Sequence, residues 1–382
     1  MKALVNGRML LAEGWRDDAC VVIEGERIAA ILPEPPAGAE RINLAGHTLL
    51  PGFIDTQVNG GGGRLFNDDP SVETLRIIAE THRRYGTTGL LPTLISDDLP
   101  VIEAAIRAVD AAIEAGVPGI LGIHIEGPFL NPVRRGIHSA SKIQPLQDQF
   151  LALLESARHG KTLVTLAPEA ATPDQVARLV AAGVIVAAGH SDAPYETVRA
   201  ALDNGATGFT HIFNAMSPLT SRAPGMVGAA LEAADAYAGI IADGHHLHPA
   251  TLRVALRAKG PDHLMLVTDA MPSVGSNETT FLIHGREIHR DGDRLVGADG
   301  TLAGSTLTMA GALRGMMEQG RVPLETASRM ASATPAAFLG LSGQLGHIAP
   351  GYRADMVLVD DTLDVRRSWI SGTSNSPVQT TY

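Results

Sequence analysis

Short apolar runs alternate with amphipathic segments through the middle of the chain, over residues 51–343. The apolar runs are Phe53–Val58, Thr87–Thr93, Gly119–Ile125, Leu163–Pro168, Val184–Gly189, Gly208–Ile212, Ala238–Ala242 and Leu264–Thr268. Runs rich in Val, Ile and Leu are typical of strands buried on both faces, and the segments between them have helical periodicity. This repeated strand–helix pattern predicts an α/β fold, a closed (β/α)8 TIM-like barrel.

The two ends of the chain have a different pattern. Short strand-like pieces separated by glycines fill residues 1–50, and a similar pattern returns at Gly346–Ile348 and Asp355–Val359. Such pieces are typical of small β domains. We therefore predict a small β-sandwich domain built from both termini, residues 1–50 and 344–382, beside a barrel over 51–343. A hairpin-rich stretch near 273–303 predicts a β-hairpin insertion after the eighth barrel strand.

Composition and charge narrow the class of protein. The 382 residues are 45% hydrophobic and 19% charged, with a net charge of -11. This acidity argues against a broad nucleic-acid-binding surface, although a few local cations can still hold an anionic substrate. The single cysteine, Cys20, cannot form an internal disulfide, which fits a reducing compartment. Because the start of the chain lacks a signal-peptide core and no long apolar run occurs, we expect a cytoplasmic protein without membrane contact.

Polar residues occur where several of the predicted barrel strands end. They are Gln57 and Asn59 at strand one, Glu126 at strand three, His190 at strand five, His211 at strand six and Asp269 at strand eight. Each residue alone is more often a rim ion-pair partner or a helix cap than a catalytic group. A parallel barrel, however, brings these strand ends together at one mouth, where barrel enzymes place their active sites. Two imidazoles and one carboxylate that leave a coordination position open are the usual ligands of catalytic zinc, which makes Glu126, His190 and His211 candidate metal ligands.

Five segments of the chain resemble known enzymes. Leu50–Asp55 resembles the first-strand entry of the amidohydrolase superfamily, and His124–Leu130, Gly189–Ser191, Thr210–Met216 and Val267–Ala270 are similar to its N-acetylglucosamine-6-phosphate deacetylase family. The similarity extends over nearly the whole chain, including the split β module. It implies hydrolysis of the acetamide of N-acetylglucosamine 6-phosphate to glucosamine 6-phosphate and acetate, in amino-sugar catabolism.

The resemblance also implies a role for each polar residue. One divalent metal ion per chain is implied at Glu126, His190 and His211, with zinc first and iron, cobalt or manganese as alternatives. Asp269 is implied as the general base and then the general acid, because a carboxylate beside the attacking water can take its proton and return it to the leaving amine. The implied substrate contacts are His138 to the acetyl carbonyl, Asn214 and the backbone of Ala215 to the sugar, and Arg222 and His246 to the phosphate. A homodimer is implied in which Arg222, His246 or both serve the neighbouring active site.

Strand one departs from the superfamily pattern. Most amidohydrolases carry His-x-His there, which supports a second metal ion, whereas this chain has Gln57 and Asn59. Neutral amides are weak ligands for zinc-like ions, so we expect one tightly bound metal ion. Gln57 and Asn59 are then expected to contact a water molecule or the Gly60–Gly63 loop. His245 and His248, which flank His246, are expected to be loop histidines without a role.

Three alternative functions stay open at this point. An N-acetylgalactosamine-6-phosphate deacetylase would have the same motifs, because the two sugars differ in the orientation of one hydroxyl group. A cyclic-amide hydrolase of the same superfamily usually keeps His-x-His and a bridging lysine, and both are absent from this sequence. A barrel that has lost activity and serves as an assembly scaffold would have no need for intact Glu126, His190, His211 and Asp269.

Overall fold

The computed structural model describes residues 1–375; residues 376–382, the end of the predicted C-terminal part of the sandwich, lie outside the described residues. The N-terminal strands are β1 (Lys2–Val5), β2 (Arg8–Leu11), β3 (Gly14–Arg16), β4 (Cys20–Glu24), β5 (Arg27–Leu32), β6 (Glu40–Asn43) and β7 (Thr48–Pro51). The sequence predicts short strand-like pieces in this stretch. Among these strands, β3 and β6 are short and largely accessible to solvent, so their side chains give a weak apolar signal.

Strands and helices then alternate along the middle of the chain. They are β8 (Phe53–Val58), β9 (Gly60–Gly61), β10 (Arg64–Leu65), α1 (Val72–Arg83), β11 (Thr87–Ile95), α2 (Leu99–Glu114), β12 (Gly122–Glu126), α3 (Asp148–Leu154), β13 (Lys161–Leu166), α4 (Pro173–Ala181), β14 (Ile185–Ala188), α5 (Tyr195–Asp203), β15 (Gly208–Phe209), α6 (Gly225–Glu232), β16 (Tyr237–Ile240), α7 (Pro249–Lys259) and β17 (Leu264–Leu266). Strands β8 and β11–β17 lie side by side, in chain order, in one parallel sheet. The predicted (β/α)8 fold class is confirmed.

The local sequence explains where the helices between these strands begin. At α4, the Gln175 N–H donates to Thr172 Oγ1 (3.3 Å) and the Thr172 N–H donates to Gln175 Oε1 (2.9 Å), with Pro173 at the first helical position. This reciprocal capping satisfies donors that the first turn leaves free. Val176 and Leu179 form the buried face of the helix. Within residues 1–375, no helix has the length and apolarity needed to cross a membrane.

The barrel closes at a seam between β8 and the segment that follows β17. Val58 and Ala270 form an isolated parallel bridge across this seam. Beneath the bridge, the buried carboxylate of Asp55 accepts hydrogen bonds from the hydroxyl (2.5 Å) and the backbone N–H (3.3 Å) of Thr268. The first and last strands are therefore joined by polar contacts of buried side chains and by backbone hydrogen bonds from the Asn59 and Gly60 N–H groups to the Ala270 carbonyl (2.9 and 3.0 Å), close to the mouth of the barrel.

The chain after the barrel strands forms a second set of elements. They are β18 (Thr280–Ile283), β19 (Arg286–Asp291), β20 (Arg294–Gly297), β21 (Leu302–Ser305), α8 (Met309–Gly320), α9 (Leu324–Ala331), α10 (Ala333–Phe338), β22 (Met356–Val359), β23 (Val365–Ile370) and β24 (Thr373–Ser374). Strands β18–β21 form an antiparallel sheet in chain order, and a bridge between Ala270 and Ser305 connects β21 to the seam. This sheet occupies the stretch that the sequence predicts as a hairpin insertion.

β9 and β10 pair with each other, and the strands from the two ends of the chain form two sheets that share a hydrophobic core. One sheet has the order β5-β4-β1-β6, and the other has the order β24-β23-β22-β7-β2-β3, so strands from both ends of the chain pair in the second sheet. Leu4 and Ile23 of the first sheet pack in one cluster with Leu49, Met356 and Trp369 of the second. The strand predicted at residues 346–348 is wrong, because this segment lies outside the strands of the described chain. The exact domain boundaries stay a prediction.

Candidate active site at the barrel mouth

Three buried side chains converge at the mouth of the barrel. Glu126 is the last residue of β12, His190 lies two residues beyond β14, and His211 lies two residues beyond β15. Glu126 Oε1 is 3.1 Å from His211 Nε2 and 3.3 Å from His190 Nε2, and the two Nε2 atoms are 3.0 Å apart. Ligands about 2.1 Å from a tetrahedral ion lie roughly 3.4 Å from each other. The spacing of these three atoms therefore fits a common metal ion.

The hydrogen bonds of the two histidines support this assignment. His190 Nδ1–H donates to the backbone carbonyl of Arg134 (2.8 Å), so in the neutral ring the lone pair is on Nε2, toward His211. Two Nε2 atoms 3.0 Å apart cannot both carry a proton, and His211 Nδ1 is buried without a hydrogen-bond partner among the described residues. A divalent cation would satisfy both nitrogen lone pairs and the carboxylate at once. The donor set therefore fits a metal ion.

The charge state of Glu126 is set by its neighbours. Burial alone would raise the pKa of this carboxyl, but hydrogen bonds with His190 and His211 hold the pKa well below its ordinary value. Gln57 Nε2 donates a further hydrogen bond of 3.0 Å to Glu126 Oε1. Glu126 is therefore a carboxylate, the form that a metal ligand requires.

Gln57 and Asn59 contact the two carboxylates of the mouth. Gln57 Nε2 reaches Asp269 Oδ1 at 3.3 Å as well as Glu126, and Asn59 Nδ2 donates to Asp269 Oδ1 at 2.6 Å. Both amide nitrogens thus contact acidic side chains, and the expected contacts with a water molecule or the Gly60–Gly63 loop stay a prediction. An amide binds a metal ion only through its oxygen, which is a weak ligand for zinc-like ions compared with imidazole. The single metal ion expected from the sequence therefore stays a prediction.

Asp269 lies across the barrel seam from the end of β8. Its N–H donates to the carbonyl of Gln57 (3.0 Å), and its own carbonyl accepts from the Ser305 N–H (2.9 Å). Desolvation in the mouth raises the pKa of the Asp269 carboxyl above its ordinary value, and the charge of Glu126 raises it further. Asp269 is thus a carboxyl group held at a fixed position beside the candidate metal ligands, with a raised affinity for a proton.

Backbone strain is concentrated at the same strand ends. The residues concerned have positive φ angles: His190 (48°), His211 (32°), Phe213 (77°), Ala215 (54°) and Asp269 (53°). A left-handed conformation costs a non-glycine residue about 1–3 kcal/mol, and such residues cluster at functional sites. At each of His190, His211 and Asp269, the hydrogen-bond ladder of the strand ends shortly before the residue. The side chain of that residue then enters the mouth of the barrel. Sequence periodicity gives no signal for this feature.

His138, in the loop after β12, is arranged as a hydrogen-bond donor. Its Nδ1 accepts from the backbone N–H of Ser96 (3.2 Å) and lies 2.8 Å from Ser96 Oγ. Burial lowers the pKa of His138 to about 3, so the ring is neutral and its one proton is on Nε2. A ring nitrogen of His138 also lies within 4.8 Å of ligand atoms of Glu126 and His190, which makes it a fourth candidate for the metal. We favour Glu126, His190 and His211 because their atoms are closer and because the protonated Nε2 of His138 cannot bind an ion.

These side chains surround a cavity of about 330 Å³. The predicted site residues that line it are Asn59, Glu126, His138, His190, His211, Asn214, Ala215, His246 and Asp269. Its other wall is largely apolar and includes Ile95, Ile137 and Met271, with Leu302 of the antiparallel sheet. The structure thus brings together residues at or just beyond the ends of the barrel strands β8, β12, β14, β15, β16 and β17. Of the remaining predicted site residues, Gln57 lies behind the cavity surface, and Arg222 lies elsewhere.

The three neighbouring histidines after β16 have different surroundings. His246 lines the cavity, and its Nδ1–H donates to Asp243 Oδ2 at 2.6 Å. His245 Nε2 contacts Asp293 Oδ1 in the turn between β19 and β20 (2.8 Å), and His248 caps α7. His245 and His248 thus have structural contacts away from the cavity. Sequence reasoning missed Ser96 and Asp243 as partners of His138 and His246, although the Asp243–His246 spacing of three residues is a signal for such a pair.

Arg222 is separated from the cavity of its own chain. It is exposed in the loop of residues 217–224, before α6, and it is outside the set of described residues that line the cavity. Leu219 in the same loop is 53% exposed. Arginine is one of the residue types that are enriched at protein interfaces.

Comparison with known proteins gives consistent results. Residues 48–382 match the model of the amidohydrolase family. The chain is 46% identical to an N-acetylgalactosamine-6-phosphate deacetylase of Shewanella sp. (strain ANA-3), over 97% of this chain and 95% of that protein. It is 36% identical to the N-acetylglucosamine-6-phosphate deacetylase of Haemophilus influenzae, over 97% and 98%. The crystal structure of N-acetylglucosamine-6-phosphate deacetylase from Pasteurella multocida superimposes with a TM-score of 0.95 at 33% identity, covering 98% of this chain and 99% of that one.

Proposed function

The chain belongs to the amidohydrolase family, and we propose that it hydrolyses the acetamide of N-acetylglucosamine 6-phosphate to glucosamine 6-phosphate and acetate. The observation that carries this proposal is the convergence of Glu126, His190 and His211 beside Asp269 at one barrel mouth. The full-length similarity to deacetylases of amino-sugar phosphates supports the choice of substrate. A barrel that served only as a scaffold would gain nothing from strained, converging polar side chains at this position.

We assign Glu126, His190 and His211 as the ligands of one divalent metal ion, with zinc as the first choice and iron, cobalt or manganese as alternatives. The donor set of two imidazoles and one carboxylate is the one that catalytic zinc uses, with a further position open to the cavity. When bound, such an ion acts as a Lewis acid and makes water acidic enough to react near neutral pH. The hydrogen bond from His190 Nδ1–H to the Arg134 carbonyl supports the orientation of this ligand.

Asp269 acts as the general base and then as the general acid. An amide is a poor electrophile, so the attacking water must lose a proton during attack, and the leaving amine must gain one. A single carboxyl group can do both when it is held beside the reacting carbon. Asn59 and Gln57 hold Oδ1 of Asp269 with amide hydrogen bonds, which leave Oδ2 for proton transfer.

His138 polarises the acetyl carbonyl. With its proton on Nε2, the neutral ring can donate to the carbonyl oxygen, where negative charge develops during attack. A preorganised donor at this position typically contributes about 3 kcal/mol to stabilisation of the transition state. The Ser96 amide fixes the ring in this tautomer without any change of its charge.

Asn214, the backbone of Ala215 and His246 contact the sugar phosphate from the other side of the cavity. Asp243 accepts from His246 Nδ1–H, which directs the opposite nitrogen of the ring toward the ligand. We propose that Arg222 reaches the phosphate of the neighbouring active site in a homodimer. Its exposure outside its own cavity supports this assignment. A guanidinium group suits phosphate because it stays charged and donates in a planar fork.

N-acetylgalactosamine 6-phosphate is a second candidate substrate. The observation in its favour is the 46% identity to the Shewanella deacetylase, against 36% to the Haemophilus enzyme. The groups assigned above recognise the acetamide and the phosphate, which both sugars carry. The choice between the two depends on contacts with the hydroxyl group at carbon 4.

The test is acetate release from the 6-phosphates of both N-acetylhexosamines and from the two unphosphorylated sugars. We expect N-acetylglucosamine 6-phosphate to be hydrolysed with the highest kcat/KM, and Asp269→Asn to lower acetate release by about two to four orders of magnitude while metal content stays near normal. A higher kcat/KM for the galactosamine epimer would identify the second candidate as the substrate. Failure of wild-type protein to release acetate from either phosphate would contradict the proposed function.

A further inference from the structure

A carboxylate outside the cavity joins the residues around His190. Glu169 lies just after β13, in the short turn Pro168–Ala170. Its Oε2 accepts a hydrogen bond from the Ser191 hydroxyl (2.6 Å), and its Oε1 accepts from the Asp192 N–H (2.8 Å) and from Asn131 Nδ2 (2.8 Å). None of these donors is charged, so the carboxylate stabilises the turn after His190 instead of forming an ion pair with it.

The same turn is held on its other side by the loop after β12. The backbone N–H of Asn131 donates to the carbonyl of His190 (2.9 Å), and the Arg134 carbonyl accepts from His190 Nδ1–H (2.8 Å). Arg134 Nε also donates to Asp192 Oδ1 (2.8 Å). Glu169 is therefore the shared acceptor that binds the Asn131 loop to the turn that follows His190.

His190 needs this support because of its backbone conformation. Its φ of 48° is left-handed, which is unfavourable for a residue with a side chain, so the turn persists only when surrounding contacts hold it. Relaxation of the turn would move Nε2 away from Glu126 Oε1 and His211 Nε2. Hydrogen bonds to a carboxylate are roughly twice as strong as those between neutral groups, so the three that Glu169 accepts support this turn together with the Arg134–Asp192 ion pair.

We propose that Glu169 is a positioning residue for the metal site, which fixes His190 although it contacts neither the metal ion nor the substrate. This inference rests on the proposed function, because it presupposes a metal ion at Glu126, His190 and His211. Its consequence is that removal of the Glu169 carboxylate weakens metal binding. The expected loss is about tenfold to a hundredfold in affinity, the usual effect of removing a residue that supports a metal ligand.

The experiment measures the dissociation constant of zinc from metal-free protein, by competition with a chelating dye. The variants are Glu169→Ala and Glu169→Gln, and the matched control is Glu155→Ala. Glu155 also accepts two hydrogen bonds, from Arg178, but in a surface ion pair away from the mouth. We expect E169A to bind zinc about tenfold to a hundredfold more weakly, E169Q to show a smaller loss, and E155A to stay within about twofold of wild type.

The outcomes separate this inference from the proposed function. Zinc binding by E169A as tight as that of wild type, with both proteins folded by circular dichroism, would overturn the role of Glu169 alone. If E169A is too unstable to purify, E169Q gives the answer, because it keeps the size of the side chain and changes one acceptor oxygen. Zinc binding by wild type without acetate release would contradict the proposed substrate and leave the role of Glu169 intact. Wild-type protein that binds no zinc would overturn both.

Discussion

Asn59 Nδ2 donates a 2.6 Å hydrogen bond to Oδ1 of Asp269, which joins the end of the first barrel strand to the end of the last. Asn59 occupies a position where most amidohydrolases carry a metal-binding histidine. In this chain the position serves the carboxylate assigned as the general base. In place of a metal-binding histidine, strand one therefore carries a side chain that orients Asp269.

Replacement of Asn59 by alanine should lower kcat about tenfold to a hundredfold, because small displacements of a catalytic group reduce the rate by such factors. The KM and the metal content should change little, since Asn59 has contacts with Asp269 and none with the candidate ligands among the described residues. Steady-state kinetics and metal analysis of the same sample measure both effects. An unchanged kcat would show that Asp269 is held by other contacts.

Variants of His138 can distinguish a hydrogen-bond donor to the substrate from a ligand of the metal ion. His138→Ala should lower kcat about a hundredfold to a thousandfold through loss of the donor to the carbonyl oxygen, and His138→Gln should lose less because its amide can still donate. Zinc affinity should stay near that of wild type in both variants. Parallel measurements of acetate release and zinc binding give the result. A large loss of zinc affinity in H138A would make His138 a metal ligand and contradict the assigned tautomer.

Complementation between two variants tests whether Arg222 serves its own active site or that of the neighbouring subunit. Arg222→Ala should raise the KM for the phosphorylated sugar far more than for the unphosphorylated one. If Arg222 serves the neighbouring site, co-expression of Arg222→Ala with Asp269→Asn should restore about a quarter of wild-type activity at low substrate concentration, because half of the dimers are mixed and each has one intact site. No restoration in mixed dimers would place Arg222 at its own site or remove it from the reaction.

The number of metal ions bound per chain tests the single-metal assignment that follows from Gln57 and Asn59. Purified protein should hold about one tightly bound divalent ion per chain, and removal of this ion by a chelator should abolish acetate release. Gln57→His combined with Asn59→His restores the superfamily pattern and provides a comparison in which a second ion can bind. Elemental analysis measures the metal content of both proteins. Two tightly held ions in the wild-type chain would contradict the single-metal assignment.

His82 links the stability of the fold to pH. It is fully buried, its Nε2–H donates to the Gly60 carbonyl (2.9 Å), and burial lowers its pKa from 6.5 to about 4. Above pH 6.5 the ring is neutral in the folded and the unfolded chain. As the pH falls from 6.5 toward 4, only the unfolded chain takes up the proton, so the free energy of unfolding decreases by up to about 3 kcal/mol.

Thermal unfolding between pH 7.5 and pH 4.5 tests this contribution. His82→Gln should be less stable than wild type at neutral pH but should lose less of its Tm on acidification, because glutamine does not titrate. His159→Gln, at an exposed position, is the matched control and should follow wild type. Other buried histidines, such as His124 with a pKa of about 4, keep part of the pH dependence. Equal slopes for H82Q and wild type would remove His82 from this effect.

The sequence predicted all the barrel strands but not where several of them end. The sixth strand was predicted through Ile212 and stops at Phe209, and the eighth was predicted through Thr268 and stops at Leu266. Apolar periodicity indicates which residues are buried, and the buried residues continue beyond the last residue of each strand. The hydrogen-bond ladder between the strands stops earlier, because His211 and Asp269 have left-handed backbone conformations. The prediction is therefore least accurate next to the residues assigned to catalysis.

The candidate site was predictable where its residues stand at strand ends, because barrel topology brings those ends together. The supporting contacts were not predictable in the same way. Ser96 lies 42 residues from His138, and Asn131 lies 38 residues from Glu169. No local pattern connects such pairs, and the loops that carry them have no periodicity. Only the folded chain shows which backbone groups face each histidine.

The candidate metal ligands and the proposed proton-transfer group lie in different parts of the barrel wall. The candidate metal ligands all come from β12, β14 and β15, on one contiguous arc of the wall, whereas Asp269 and its amide partners Gln57 and Asn59 face each other across the junction of the first and last strands. Local opening of this junction would part the proton-transfer group from its restraints and leave the three metal-facing atoms together. The candidate metal ligands therefore lie on an arc that does not cross the junction, whereas the position of the proposed general base depends on a closed circle of strands.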